Sequence, residues 1–200
     1  MKLGIFILPK NQLLKAINFH KKKIKKIYGY QPYLLHPAHC TIYVFNTNKT
    51  NLEQIKKIQN IKFKKKLNIR VNKLDFFYED ILTGKDTIFF RVNQNMQLNL
   101  FQKKIVKIFS IYISGKNKFI KFSDKNMQRN YDKYGYPFVN KNWMPHFTIA
   151  SIKNKFINDL YFKKLFDKKC KYNVDISKVY IYKIIHDKHE LISSINIVDR

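Results

Sequence analysis

The spacing of apolar residues predicts strands and helices in mixed order along the chain. Short apolar or alternating runs are typical of strands, and apolar residues at every third or fourth position are typical of helices. Strands are predicted at Lys2–Leu8, Cys40–Phe45, Phe63–Phe77, Thr87–Val92, Phe147–Ile152, Val174–Ile185 and Glu190–Val198. Helices are predicted at Gln12–Ile27, Leu52–Gln59, Met96–Ile111 and Asn158–Phe166. This mixture indicates an α+β fold with a largely antiparallel sheet.

The order strand–helix–loop–strand–helix–strand occurs twice. The second occurrence is longer, because the segment Ser114–Asn142 is inserted before its second strand. The repeated order of elements is not accompanied by a repeat of the residues themselves, and no flexible linker separates the halves. We therefore expect a single domain over residues 1–200, with two small lobes that share a core.

Two short motifs head corresponding strands in the two halves. One is His39–Ile42 (HCTI) and the other is His146–Ile149 (HFTI), and each follows a proline-containing loop. Because side chains alternate along a strand, the His and the Thr of each motif share a face. Tyr43, two positions beyond Thr41, is expected on that face as well. It is a candidate substrate contact, and packing within the sheet explains it equally well.

Two imidazoles and two hydroxyls around one groove would make a site for phosphoryl transfer. A neutral imidazole can take a proton from water or a ribose hydroxyl, and a protonated one can give a proton to the departing oxygen. The hydroxyls of Thr41 and Thr148 can donate to the non-bridging phosphate oxygens. His39 and His146 are therefore candidate catalysts that need no metal.

The specificity of this signal comes from its duplication. A single H-x-T motif means little, because most isolated strand histidines fill space or satisfy one hydrogen bond. Two such motifs at equivalent positions resemble the duplicated H-x-[ST]-x signature of the 2H phosphoesterase superfamily. That superfamily includes 2′-5′ RNA ligase-like proteins and RNA 2′,3′-cyclic phosphodiesterases, and Pro145–Ala150 is especially similar to its second motif.

The resemblance covers nearly the whole chain, although only the two motifs are specific. It implies a bilobal, pseudo-two-fold fold in which antiparallel sheets flank a central cleft, with helices outside. It also implies that His39 and His146 are catalytic and that Thr41 and Thr148 bind phosphate. Relatives of the RNA-ligase type often carry Arg shortly after the second motif, whereas this chain has Ser151 and then Lys153. The resemblance is therefore to the superfamily more than to the ligase subtype.

The formal net charge is +27, with 40 Lys and Arg against 13 Asp and Glu. Such a charge favours anionic substrates, RNA among them. A compositional origin is equally open, because nearly all the basic residues are lysine and the chain is rich in Asn, Ile, Tyr and Phe, as an AT-rich coding sequence would produce. The two cysteines form no C-x-x-C pair and no apolar run reaches roughly 20 residues, so a reduced cytoplasmic protein without membrane contact is expected.

The segment Ser114–Asn142 is interpreted as a long basic and aromatic loop. It leads directly into the second motif, so one expectation is that it lies over the groove and stacks a base. Arg129 and Tyr136 are its candidate substrate contacts. The alternative is a solvated surface insertion. The lysine runs at 21–26 and 62–66 are interpreted as solvated faces, with a role in guiding RNA as the alternative.

The favoured function is a metal-independent enzyme that opens 2′,3′-cyclic phosphates or related phosphodiesters at RNA ends or on nucleotides. Neither His36–His39 nor His186–His189 has a convincing cluster of Cys, Asp or Glu at zinc spacing, although Asp187 and Glu190 neighbour the second pair. No metal or cofactor is therefore expected. A monomer with an RNA or nucleotide cyclic-phosphate substrate is expected. Two alternatives remain: a 2H-type enzyme for a non-RNA cyclic-phosphate metabolite, and a non-catalytic RNA-binding protein.

Overall fold

A computed structural model describes residues 1–64, 67–116, 120–153, 160, 162, 164, 170–185 and 188–199. The strands within these residues are β1 (Lys2–Ile7), β2 (Cys40–Asn46), β3 (Asn60–Lys62), β4 (Leu67–Phe77), β5 (Asp86–Val92), β6 (His146–Ile152), β7 (Tyr172–Ile176), β8 (Lys178–Ile185) and β9 (Lys188–Val198). The helices whose bounds are described are α1 (Asn11–Tyr28), α2 (Lys49–Lys56), α3 (Met96–Phe109) and α4 (Lys125–Tyr134). Most of the helix predicted at Asn158–Phe166 lies outside the described residues.

The described strands form one sheet in the order β3-β9-β8-β1-β2-β6-β5-β4-β7. Its ladders are antiparallel apart from the parallel pair β3–β9. The three strands β8-β1-β2 on one side of the sheet correspond in order to β4-β5-β6 on the other side. The residue pair Cys40–Phe147 joins the two sides. The α+β fold with duplicated, largely antiparallel halves is therefore confirmed, and the two predicted sheets meet as one.

Each long helix packs on the half to which it does not belong by sequence. Helix α1 follows β1 but packs on β6, and α3 follows β5 but packs on β2. The apolar residues Leu13, Ile17 and Ile24 recur at helical spacing and bury one face of α1. Because the helices cross over, the apolar residues of both halves belong to one core.

The inserted segment 114–142 contains a helix, so its interpretation as a loop was wrong. Asp124 is the N-cap of helix α4, because its side chain accepts a hydrogen bond from the backbone N–H of Met127. It ends at Gly135, whose φ of 66° lies in the left-handed region that favours glycine. The Tyr43 hydroxyl donates to the Tyr134 carbonyl at 2.6 Å, which ties the end of α4 to β2.

Candidate active site

The junction of β2 and β6 brings the two H-x-T motifs together. Cys40 and Phe147 are cross-strand partners, and both are fully buried on the helix side. The same antiparallel register puts His39 beside Thr148 and Thr41 beside His146 on the opposite face. The two histidines are therefore diagonal neighbours, and such positions lie roughly 7–8 Å apart in an antiparallel sheet. All four of these side chains are half-buried.

Each histidine is held by the carbonyl two residues before it. His39 Nδ1 lies 2.7 Å from the Pro37 carbonyl oxygen, and His146 Nδ1 lies 2.7 Å from that of Met144. A carbonyl can only accept, so Nδ1 carries the hydrogen in both rings. The other ring nitrogen, Nε2, is then the one that accepts or donates a proton in each imidazole.

An aromatic ring supports each imidazole from the neighbouring strand. Phe6 pairs with Thr41 and stacks on His39 at 3.9 Å between ring centres. In the other half, Phe89 pairs with Thr148 and lies 4.9 Å from His146. A side chain at Gly4 would overlap the Phe6 ring, so the glycine leaves the space that this ring occupies. The sequence motifs alone do not indicate this second pair of equivalent residues.

The prediction that Tyr43 shares a face with Thr41 is wrong. Ile5 pairs with Tyr43 and the next residue, Phe6, pairs with Thr41, so one residue of β2 is skipped in a β-bulge. Since neighbours on β1 point to opposite faces, their partners Tyr43 and Thr41 do so too. Tyr43 is fully buried and stacks on Phe45 on the helix side. It packs the core and does not face the histidines.

The other two candidate substrate contacts lie in the inserted segment. Tyr136 packs edge-on against Tyr43, with ring centres 6.2 Å apart, and Arg129 is an exposed residue of α4. The backbone N–H of Asn140 donates to the Gln102 side chain of α3, so the segment is attached to the helix side of β2. This attachment does not place the segment over the histidines. Substrate binding by Arg129 or Tyr136 stays a prediction.

The surroundings of His39 disfavour a positive charge. Burial lowers the pKa of His39 to about 3, with further lowering from His189, His36 and Lys21. The His189 ring, from β9, lies 5.2 Å from that of His39 and 4.6 Å from that of His36. His186, which the sequence grouped with His189, lies outside the described residues. Within the described residues no group of three or more His, Cys, Asp or Glu side chains is arranged to hold a metal ion.

Lys21 anchors the loop that leads to His39. Its side chain is buried, and its Nζ donates to the carbonyl oxygens of Tyr33 at 2.8 Å and His36 at 2.6 Å. Burial lowers the pKa of Lys21 to about 8. The interpretation of the run 21–26 as a solvated face is therefore wrong for its first member. Its neighbours Lys22 and Lys23 are exposed, as expected for such a face.

The surroundings of His146 contain charges of both signs. Burial lowers the pKa of His146, Asp80 raises it, and Arg91 lowers it. Asp80 Oδ2 accepts a hydrogen bond from the Thr87 hydroxyl at 2.6 Å. Arg91 is the partner of His146 in the β5–β6 ladder, and its Nε donates to Asp75 at 2.6 Å. A carboxylate near the ring thus distinguishes this histidine from His39.

Two cavities open on other parts of the surface. One, of about 610 Å³, is lined by residues of α4 and by Ile113 and Ile120. The other, of about 270 Å³, is lined by Asn68, Arg70, Lys171 and Asn173. Neither is lined by a residue of the two motifs, so the candidate site is a strand surface and not one of these cavities.

Two solved structures share this architecture. TT0787 of Thermus thermophilus superimposes with a TM-score of 0.66 at 10% identity, covering 98% of both chains. E. coli LigT in its apo form superimposes with a TM-score of 0.52 at 9% identity, covering 98% of this chain and 96% of LigT. Both are proteins of the 2H phosphoesterase and 2′-5′ RNA ligase family.

The chain has the fold of the 2H phosphoesterases. The resemblance inferred from the two motifs is thus confirmed in the fold, over almost the full chain. In this 2H fold the motifs head the two strands that meet at the centre of the sheet. No protein-family model and no curated protein sequence matches the chain. Among the described residues, no helix is long and apolar enough to cross a membrane.

Proposed function

We propose that the chain is a metal-independent phosphoesterase that opens 2′,3′-cyclic phosphates at RNA ends or on nucleotides. The observation that carries this proposal is the equivalence of His39 and His146. Each heads a central strand, and each has its Nδ1 hydrogen on a backbone carbonyl at 2.7 Å. Two tethered imidazoles with available Nε2 atoms are what an acid–base pair requires.

The two motifs divide the reaction between them. One imidazole removes a proton from water, and the water oxygen bonds to phosphorus. The bond from phosphorus to one ribose oxygen then breaks, and the second imidazole gives that oxygen its proton. The hydroxyls of Thr41 and Thr148 donate to the non-bridging oxygens as negative charge builds there. The product is a ribose phosphate monoester. The same ring opening with a 5′-hydroxyl in place of the water would join the cyclic phosphate to a second strand as a phosphodiester.

The charges around the rings suit different roles. His39 lies near His189, His36 and Lys21, which favour its neutral form, the form of a base. His146 lies near Asp80, which favours its protonated form, the form of an acid. We therefore assign the attacking water to His39 and the leaving ribose oxygen to His146 in the hydrolytic direction.

Hydrolysis of a nucleoside 2′,3′-cyclic phosphate in the presence of EDTA tests the proposal. The native chain should form the monoester, and His39→Ala and His146→Ala should each abolish most of the turnover. His20→Ala is the matched control, because His20 contacts Phe90 on the helix side of the sheet. Turnover that survives in both alanine variants, or that requires added metal, would overturn the proposal.

A further inference from the structure

Arg91 lies beside the candidate catalytic pair and takes no part in the mechanism above. It is the cross-strand partner of His146, and such partners project from the same face of a sheet. Its guanidinium carbon lies 5.9 Å from the centre of the Phe89 ring. That ring lies 4.9 Å from the ring of His146. Arg91 therefore extends along the face that carries the imidazole.

A carboxylate holds the guanidinium and leaves its outer nitrogens available. Arg91 Nε donates to Asp75 Oδ2 at 2.6 Å, and Lys73 Nζ lies 3.0 Å from the same oxygen. One carboxylate between two cations leaves the group positive. A guanidinium that is bonded through Nε keeps the planar fork that binds two phosphate oxygens. The Arg91 side chain is 36% exposed, so an anion can reach it from solvent.

The position of Arg91 suits a phosphate next to the one that reacts. The reacting phosphate belongs at the β2–β6 junction, between the two H-x-T motifs. Asp75 draws the guanidinium towards β4, which is two strands from β6, or roughly 10 Å at the usual strand spacing. The side chains of the two motifs therefore bind a single phosphate at the junction, and a second anion farther along the sheet would contact Arg91.

We propose that Arg91, held by Asp75 and assisted by Lys73, binds the phosphodiester that precedes a terminal 2′,3′-cyclic phosphate. This inference rests on the proposed function and narrows its substrate class. It makes the preferred substrate an RNA strand of at least two nucleotides, and it disfavours mononucleotides and cyclic phosphates on other metabolites.

A matched pair of substrates tests this subsite. One is a mononucleoside 2′,3′-cyclic phosphate, and the other is a dinucleotide that ends in the same nucleoside cyclic phosphate. Arg91→Gln should lower kcat/KM for the dinucleotide about 10- to 100-fold, the effect of losing a hydrogen bond between charged groups. The loss on the mononucleotide should be far smaller. Arg91→Lys keeps the charge without the fork and should fall between the native chain and Arg91→Gln.

Arg70→Gln is the matched control for charge. Arg70 is exposed on β4 and pairs with Asn173 of β7, on the edge of the sheet away from His146. It should change both substrates by the same small factor, through the net charge alone.

Equal losses on both substrates in Arg91→Gln would overturn the subsite, since Arg91 would then act on the reacting phosphate or through His146. A dinucleotide preference that Arg91→Gln leaves intact would overturn it as well. Histidine-dependent turnover of the mononucleotide would still support the proposed function in either case. If the native chain turns over neither substrate, the proposed function is overturned, and the subsite with it.

Discussion

The two halves of the site have the same backbone geometry and different charges. In each, a histidine is bonded to the carbonyl two residues earlier, a phenylalanine from the adjacent strand supports the ring, and a register shift follows directly. Around His39 the titratable neighbours that lower its pKa are Lys21 and two histidines, whereas around His146 a carboxylate, Asp80, raises its pKa. The shared geometry gives the two rings the same tethered position, and under the proposed function the different charges assign the base to one half and the acid to the other.

The largest effect should come from removing either histidine, and the pH profile should distinguish them. As a base, His39 must be neutral, so kcat/KM falls as the pH drops through its pKa of about 3. As an acid, His146 must be protonated, so kcat/KM falls as the pH rises through its pKa, which lies below 6.5. The native optimum should therefore be acidic. Each alanine variant should lose about 10²- to 10⁴-fold in kcat.

Residual turnover shows which role was lost. His39→Ala should lose the acidic limb of the profile and keep the alkaline limb, and His146→Ala should do the reverse. The opposite pattern would exchange the two assignments.

The next largest effect should come from the threonines, and it should be equal in the two halves. Thr41→Val and Thr148→Val keep the shape of the side chain and remove one donor to the phosphate. Each should lower kcat about 10- to 100-fold, with little effect on folding. Steady-state kinetics at the pH optimum measures this loss. A large effect in one half and none in the other would break the equivalence of the motifs.

A smaller effect is expected where Lys21 anchors the first motif. Lys21→Met leaves the carbonyls of Tyr33 and His36 without their donor, at a cost of about 1–2 kcal/mol in the free energy of unfolding. It also removes a positive charge that lowers the pKa of His39, so the acidic limb should move to higher pH. Urea denaturation and the pH profile measure these changes. Lys22→Met, at the exposed neighbour, should change neither, and an equal loss there would contradict the anchoring role.

The smallest effect should come from the carboxylate in the other half. Asp80→Asn removes the negative charge that raises the pKa of His146 and keeps an oxygen for the Thr87 hydroxyl. The alkaline limb of kcat/KM should therefore move to lower pH, while the acidic limb stays in place. Asp132→Asn, on exposed α4, is the matched control. An unmoved alkaline limb would mean that Asp80 does not tune His146.

The sequence predicted the central strands and the motif histidines because those signals are local. Alternation and the H-x-T spacing depend on neighbours along one strand. The face of Tyr43 was wrong because a bulge depends on how β2 pairs with β1, which no local pattern shows. His189 approaches His39 from β9 near the end of the chain, so its role required the topology. Helix α4 was missed despite Asp124 and Gly135, whose spacing matches a capped helix of three turns.

The crossing of the helices has a thermodynamic consequence. One long helix of each half packs on the other half. In the same way, β4 lies beside β5 and β8 lies beside β1, so each of these strands pairs with the half to which it does not belong by sequence. Unfolding of one half would expose the apolar residues that it covers in the other, so we expect no stable half-folded state. Loss of enzymatic turnover on heating and loss of secondary structure should then follow a single transition.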